Sequence, residues 1–213
     1  MDAVDAAGEA NVNRKHGILL AYDVGVGKSR IAAGIALDWL SQGHANRILL
    51  TTKGENNIQD LIREFNIVGG GKFPFSIVQV KAFKEVKKDV EADIPKQDKA
   101  VYVVDLPNLA PYTPAIRRLG IDALIGDEAH LFSNVQDQTI KVAAAWKTIH
   151  KDLIQAEGKF VYLTATPATI ITDLEYLYGL KEWHLDGFDD WLLRITGNLS
   201  ASEEKEFVKA TSH

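Results

Sequence analysis

Three short clusters in the chain carry side chains suited to phosphate and water chemistry. They are Gly25-Val-Gly-Lys-Ser29, Asp127-Glu-Ala-His130 and Thr164-Ala-Thr-Pro167. The first has the make-up of a phosphate-binding loop. Glycines let backbone N–H groups converge on an anion, and a helix that starts there adds unpaired N–H groups and the positive end of its dipole. Lys28 has the reach to touch the β- and γ-phosphates of a nucleoside triphosphate, and the Ser29 hydroxyl is a ligand type for Mg²⁺. Val24, Gly25, Val26, Gly27, Lys28, Ser29 and Arg30 are the expected nucleotide-contacting stretch. The strict pattern G-x-x-x-x-G-K-[ST] asks for glycine at position 22, where this chain has Tyr22.

Asp127 and Glu128 end an apolar run. A carboxylate in that place can hold the Mg²⁺ of a bound triphosphate, and a second one beside it can orient and polarise the attacking water. Asp127 is therefore the expected metal carboxylate and Glu128 the expected general base. His130 and the hydroxyls of Thr164 and Thr166 are candidates to couple the nucleotide to the rest of the protein by hydrogen bonding.

The elements that must position these groups are legible from hydrophobic pattern. Gly17–Tyr22, Arg47–Thr52, Phe75–Val80, Ala100–Val104, Ile121–Gly126 and Phe160–Leu163 read as strands, most of them continuously apolar. Helical spacing runs from the phosphate loop to about Gln42, where Gly43 ends it. It recurs over Asn56–Phe65, Lys81–Glu91, Gln136–His150, Ile170–Leu180, Phe188–Ile195 and Ser202–Ala210. Pro107, Pro111 and Pro114 suggest an irregular connection followed by a short helix over Pro114–Leu119. Apolar strands alternating with helices predict an α/β fold, a mainly parallel sheet with helices on both faces. All three clusters fall after strands, at the carboxyl edge where such sheets bind ligands.

Composition limits the alternatives. A hydrophobic share of 46% supports a sizeable core in 213 residues and excludes wholesale disorder. The apolar runs fall short of the ~20 residues of a membrane span. No secretory leader is evident, and the absence of cysteine fits an intracellular protein. A net charge of −5 is not that of a protein that coats nucleic acid by bulk charge, so any such contact must be local.

In this order, Gly-Val-Gly-Lys-Ser, Asp-Glu-Ala-His and Thr-Ala-Thr-Pro resemble motifs I, II and III of superfamily 2 helicases and translocases. The Swi/Snf-type branch is similar in further segments: Ile48-Leu-Leu-Thr-Thr-Lys53 with the helix ending Arg63-Glu-Phe65, Asp127 to Asn134, and Leu163 to Ala168 with Asp173 to Leu180. The run Gly27-Lys-Ser-Arg-x-Ala-Ala-Gly-Ile35 resembles the Strawberry-notch-like helicases. The resemblance implies a RecA-like P-loop NTPase domain, the first lobe of a nucleic-acid-dependent ATPase that uses ATP and Mg²⁺. It spans about residues 16 to 195, with a loose N-terminal arm over 1–15 and a helical extension over 196–213. It makes Thr51, Thr52 and Lys53 contacts to a nucleic-acid backbone, with DNA expected rather than RNA.

The chain departs from the family in two respects. The first glutamine is Gln42, so no glutamine precedes the phosphate loop to read adenine. The stretch after Pro167 is too short for a second RecA-like lobe. The arginine finger is then expected from elsewhere, because Arg194 fits packing better, and turnover by this chain alone should be weak or absent. Two other readings share parts of the pattern: a terminase-like packaging ATPase, and a non-catalytic nucleotide-binding module for protein interaction.

Overall fold

A computed structural model describes residues 17–21, 27–80, 94–132, 139–165 and 171–180. Six strands are formed there: β1 (Ile18–Ala21), β2 (Arg47–Thr52), β3 (Ser76–Gln79), β4 (Ala100–Asp105), β5 (Ala123–Asp127) and β6 (Lys159–Thr164). They make one parallel sheet in the order β1-β6-β5-β2-β4-β3. Four helices accompany them: α1 (Lys28–Gln42), α2 (Glu55–Val68), α3 (Leu106–Leu119) and α4 (Thr139–Gln155). None of the described helices is long and apolar enough to cross a membrane.

The sheet is covered on both faces, which is why its strands read as unbroken apolar runs. Alternate residues go to opposite sides. Ile48, Leu50, Val101, Val103, Ile125, Val161 and Leu163 pack under α1 and α2, against Ala32, Ala36, Trp39, Ile58 and Phe65. Leu49, Tyr102, Val104, Leu124, Phe160 and Tyr162 face α3 and α4, against Leu109, Ile116, Trp146 and Ile149. Helix α1 ends at Gly43 in the left-handed region (φ 73°), as its sequence predicts.

Two expectations are corrected. The proline-marked connection and the short helix after it are one helix, α3, with Pro111 and Pro114 inside it. Pro107, Pro111 and Pro114 are all exposed, and Pro107 sits in the first turn, where its missing N–H costs nothing. Leu109, Tyr112, Ala115, Ile116 and Leu119 are buried, and that burial outweighs the proline penalty. Thr113 also donates its hydroxyl to the Leu109 carbonyl at 2.8 Å. The second correction concerns the helical stretch expected at Ile170–Leu180, whose described residues form two short 3₁₀ turns, Ile171–Tyr176 and Tyr178–Leu180, rather than one continuous helix. Its chain is held by groups outside itself. The Trp146 indole N–H donates to the Tyr176 carbonyl at 2.9 Å, and Gly179 N–H donates to the Tyr162 hydroxyl at 2.7 Å. The arm at 1–15 and the helices expected at Lys81–Glu91, Phe188–Ile195 and Ser202–Ala210 lie outside the described residues.

A buried polar chain runs through the α3/α4 face. His150 Nδ1 lies 2.9 Å from the Trp146 carbonyl, which can only accept, so Nδ1 carries the proton. Nε2 then accepts from the Tyr162 hydroxyl at 2.8 Å. Tyr162 in turn accepts from Gly179, whose carbonyl accepts from Gly17 N–H at 2.8 Å. A side chain at Gly179 would collide with Phe160 and Tyr162. Burial pushes the His150 pKa down to about 3, so it stays neutral in the fold. Unfolded, it titrates at about 6.5. Between those values the unfolded chain binds the extra proton, so this contribution to stability is complete above pH 6.5 and is lost as pH falls toward 3. From pH 7 to pH 5 the loss amounts to about 2 kcal/mol. Urea unfolding at both pH values should show wild type losing that much more than His150→Gln, and equal losses would exclude a buried neutral imidazole.

Candidate active site

The carboxyl ends of five strands form one row, Ala21, Thr164, Asp127, Thr52 and Asp105, in the spatial order of their strands. The register sets it: Ala21 is level with Thr164, Asp127 with Leu163, Thr51 with Gly126, and Thr52 with Asp105. Helix α1 begins beside this row. Gly27 precedes it in the left-handed region (φ 85°, ψ 35°), a conformation that favours glycine, and its carbonyl accepts the first helical N–H bonds from Arg30 and Ile31. Lys28 and Ser29 are the first two helical residues and are half-buried. Arg30 turns away from the row: its Nε donates to Glu64 Oε2 on α2 at 2.7 Å. Val24, Gly25 and Val26 lie outside the described residues.

Asp127 is buried at 6% exposure, and Thr52 donates its hydroxyl to Asp127 Oδ2 at 2.9 Å. Burial pushes the Asp127 pKa up. The Thr52 bond opposes that, the Glu128 charge adds to it, and the Lys28 ammonium is close enough to oppose it again. The sheet has placed a carboxylate where it is short of cation, next to the N-terminus of α1. Among the described residues, no group of three or more His, Asp or Glu side chains could hold a metal alone. Mg²⁺ fits this arrangement, because it takes one or two protein oxygens and completes its shell with phosphates and water. Asp127 is a hard oxygen donor of the kind that ion takes, and Ser29, expected to supply a second, is the second residue of α1.

The chain turns sharply after Asp127. Glu128 has φ 53°, unusual for a residue with a side chain, and a 3₁₀ turn follows over Ala129–Phe132. This turn brings His130 back over the strand ends. Its Nδ1 lies 2.8 Å from Thr164 Oγ1 and 3.3 Å from Glu128 Oε2. Thr164 is fully buried, while Glu128 and His130 keep 29% and 26% of their side-chain surface open. A half-open carboxylate can meet a water, and a histidine bridging it to the next strand end can report on it. Thr166 lies outside the described residues. Gly126 is compact for a packing reason: a Cβ there would sit 3.0 Å from Trp146 Cη2.

Of Thr51, Thr52 and Lys53, only Lys53 is exposed. Both threonines are fully buried, Thr52 on Asp127, and the Thr51 hydroxyl has no hydrogen-bond partner among the described residues. Sequence reasoning missed the Thr52–Asp127 bond and also Asp105. Asp105 Oδ1 accepts from Gly54 N–H at 2.9 Å and fixes the turn after β2. The signal for Asp105 was present, an acidic residue between an apolar strand and Leu106-Pro107, the usual start of a helix.

Comparison with known proteins bears on the family and the fold. Residues 1–169 match the family model described as "Type III restriction enzyme, res subunit". No curated protein matches the chain. Among solved structures, the fold is similar to the Sulfolobus solfataricus SWI2/SNF2 ATPase core in complex with dsDNA, with TM-score 0.62 and 17% identity over 98% of this chain and 41% of that one. It is similar to the UvsW helicase from bacteriophage T4, with TM-score 0.55 and 18% identity over 83% of this chain and 56% of that one. A nuclease-deletion mutant of the Type ISP restriction-modification enzyme LlaGI, in complex with a DNA substrate mimic, gives TM-score 0.50 and 18% identity over 78% and 17%. The chain thus spans less than two thirds of each of these proteins. With its family model covering most of its length and its strands in this order, the chain belongs to the Type III restriction enzyme res-subunit family, and it is a RecA-like ATPase lobe of the superfamily 2 helicase and translocase type.

Proposed function

We propose that this lobe binds MgATP along the carboxyl edge of its sheet and, completed by a second RecA-like lobe, hydrolyses it to move on nucleic acid, with DNA the expected track. The observation that supports this most is the row of strand ends, which holds Asp127 beside Thr164, with Glu128 and His130 just after it and the Lys28 ammonium close enough to act on Asp127. In this reading Lys28 and the N-terminus of α1 hold the triphosphate, and Ser29 and Asp127 hold Mg²⁺. When bound, Mg²⁺ neutralises charge on the phosphates. Glu128 orients the attacking water and accepts its proton, while His130 and Thr164 carry the state of Glu128 to the adjoining strand end. Lys53, exposed at the turn after β2, is the side chain of its segment best placed to meet a phosphate backbone. Such contacts give affinity without reading sequence.

Binding and turnover separate in the test. Lys28→Ala should weaken binding of a non-hydrolysable ATP analogue by about 2 kcal/mol, roughly thirtyfold in Kd, as measured by fluorescence titration. Unchanged affinity would remove the phosphate loop from the reading.

Turnover by the chain alone should be slow, because an arginine finger contributed by a second lobe is worth about 10³–10⁵ in rate. Single-turnover measurement with excess protein, with and without duplex DNA, gives the basal rate. Glu128→Gln should lower that rate by about 10²-fold or more while nucleotide binding persists. A glutamine variant as fast as wild type would take the general base away from Glu128.

A further inference from the structure

Asp127 is held by a device that the nucleotide reading does not need for its own sake. Thr52 is fully buried and gives its hydroxyl to Asp127 Oδ2 at 2.9 Å, so one carboxylate oxygen is fixed by a group on the neighbouring strand. Thr52 is itself immobilised. Its backbone is level with Asp105 in the β2–β4 ladder, and two residues on, Gly54 N–H is bonded to the Asp105 carboxylate at 2.9 Å. Gly54 has φ 90° and ψ 145°, open in practice to glycine, so the turn is built to bring that N–H to Asp105. On its helix side the Lys53 carbonyl accepts from Asn57 Nδ2 at 2.7 Å. The threonine therefore ends a strand whose exit is tied down at two further points.

A buried threonine hydroxyl could be mere filler, and its neighbour Thr51 is one: equally buried, its hydroxyl lacks a hydrogen-bond partner among the described residues. Thr52 differs because its partner is the carboxylate most in need of orientation. A carboxylate that must meet a cation needs its plane set beforehand, and a hydrogen bond to one oxygen sets it. We infer that Thr52 is a positioning residue for Asp127, holding the carboxylate in the orientation a divalent cation requires, with Asp105 and Gly54 as its rigid support. The inference rests on the nucleotide reading above.

The test reads metal binding without turnover. The full chain is saturated with a non-hydrolysable ATP analogue, and free Mn²⁺ is followed by electron paramagnetic resonance during titration. Thr52→Val keeps the shape and removes the donor, and it should weaken Mn²⁺ binding about tenfold. Thr52→Ser restores the donor and should return the affinity to near the wild-type value. If the valine variant does not fold, Thr52→Ala serves in the same comparison. Valine or alanine variants that bind Mn²⁺ as wild type does would overturn the inference alone. So would a serine variant as weak as valine, since packing and not the hydroxyl would then matter. A wild-type chain that takes up no Mn²⁺ with the nucleotide would overturn the nucleotide reading and this inference with it.

Discussion

Putting a carboxylate inside a protein is expensive unless something charged or polar faces it. Asp127 is that case here, and the site is arranged around it. Burial pushes its pKa up, the hydroxyl of Thr52 and the ammonium of Lys28 push it back, and the Glu128 charge works against them. The balance leaves a group that gains from a cation. It exists because β5 lies between β6 and β2 and is buried along its whole length, its last residue included.

Parallel register then does the rest of the assembly. In an antiparallel sheet, neighbouring strand ends would alternate between edges. Here every strand delivers its last residue to the same edge, and Ala21, Thr164, Asp127, Thr52 and Asp105 stand in a row without any one of them having been brought by a loop. Loops only finish the site. Glu128, in the left-handed region, reverses the chain so that His130 returns to Thr164. Trp146 fills the space that a side chain at Gly126 would need and so braces the strand just before Asp127.

Much of this was legible in the sequence because the governing signals are local. Gly27-Lys-Ser before a helical pattern gives α1, Gly43 gives its end, and apolar runs give β2, β4, β5 and β6 nearly to the residue. Register is not local, and the misses follow from that. Nothing within ten residues of Thr52 announces that it will lie beside Asp127, 75 positions away. For the same reason Thr51–Lys53 looked like one surface segment, whereas strand pairing buries two of the three. The prolines of α3 misled because proline is judged by the bond it removes. Only the fold tells which face carries the prolines, and here it is the exposed one. The 3₁₀ turns at 171–180 looked helical because their apolar spacing is right, but the groups that hold them, Trp146 and Tyr162, belong to other elements.

The two polar systems of this lobe occupy different parts of the sheet and behave differently. Around His150 and Tyr162 the side chains are buried, the histidine is locked neutral, and four parts of the chain are pinned together: α4, β6, the 3₁₀ turn at Gly179, and Gly17 at the head of β1. At the carboxyl edge the groups are graded from dry to wet: Thr164 and Asp127 buried, Glu128 and His130 about a quarter open, Lys53 exposed. A fully satisfied interior network resists local opening, while partly solvated contacts exchange partners at little cost. The proposed function would use both: a fixed β1 strand leading toward α1, and an edge whose hydrogen bonds can change partners. The β6 strand supplies the two from neighbouring positions, Tyr162 facing the interior network and Thr164 the edge. Thr164 thus lies two residues from a group that ties β6, by hydrogen bonds, to Gly179 and through it to Gly17, while its own backbone is level with Ala21 at the other end of β1, so β6 is joined to both ends of that strand.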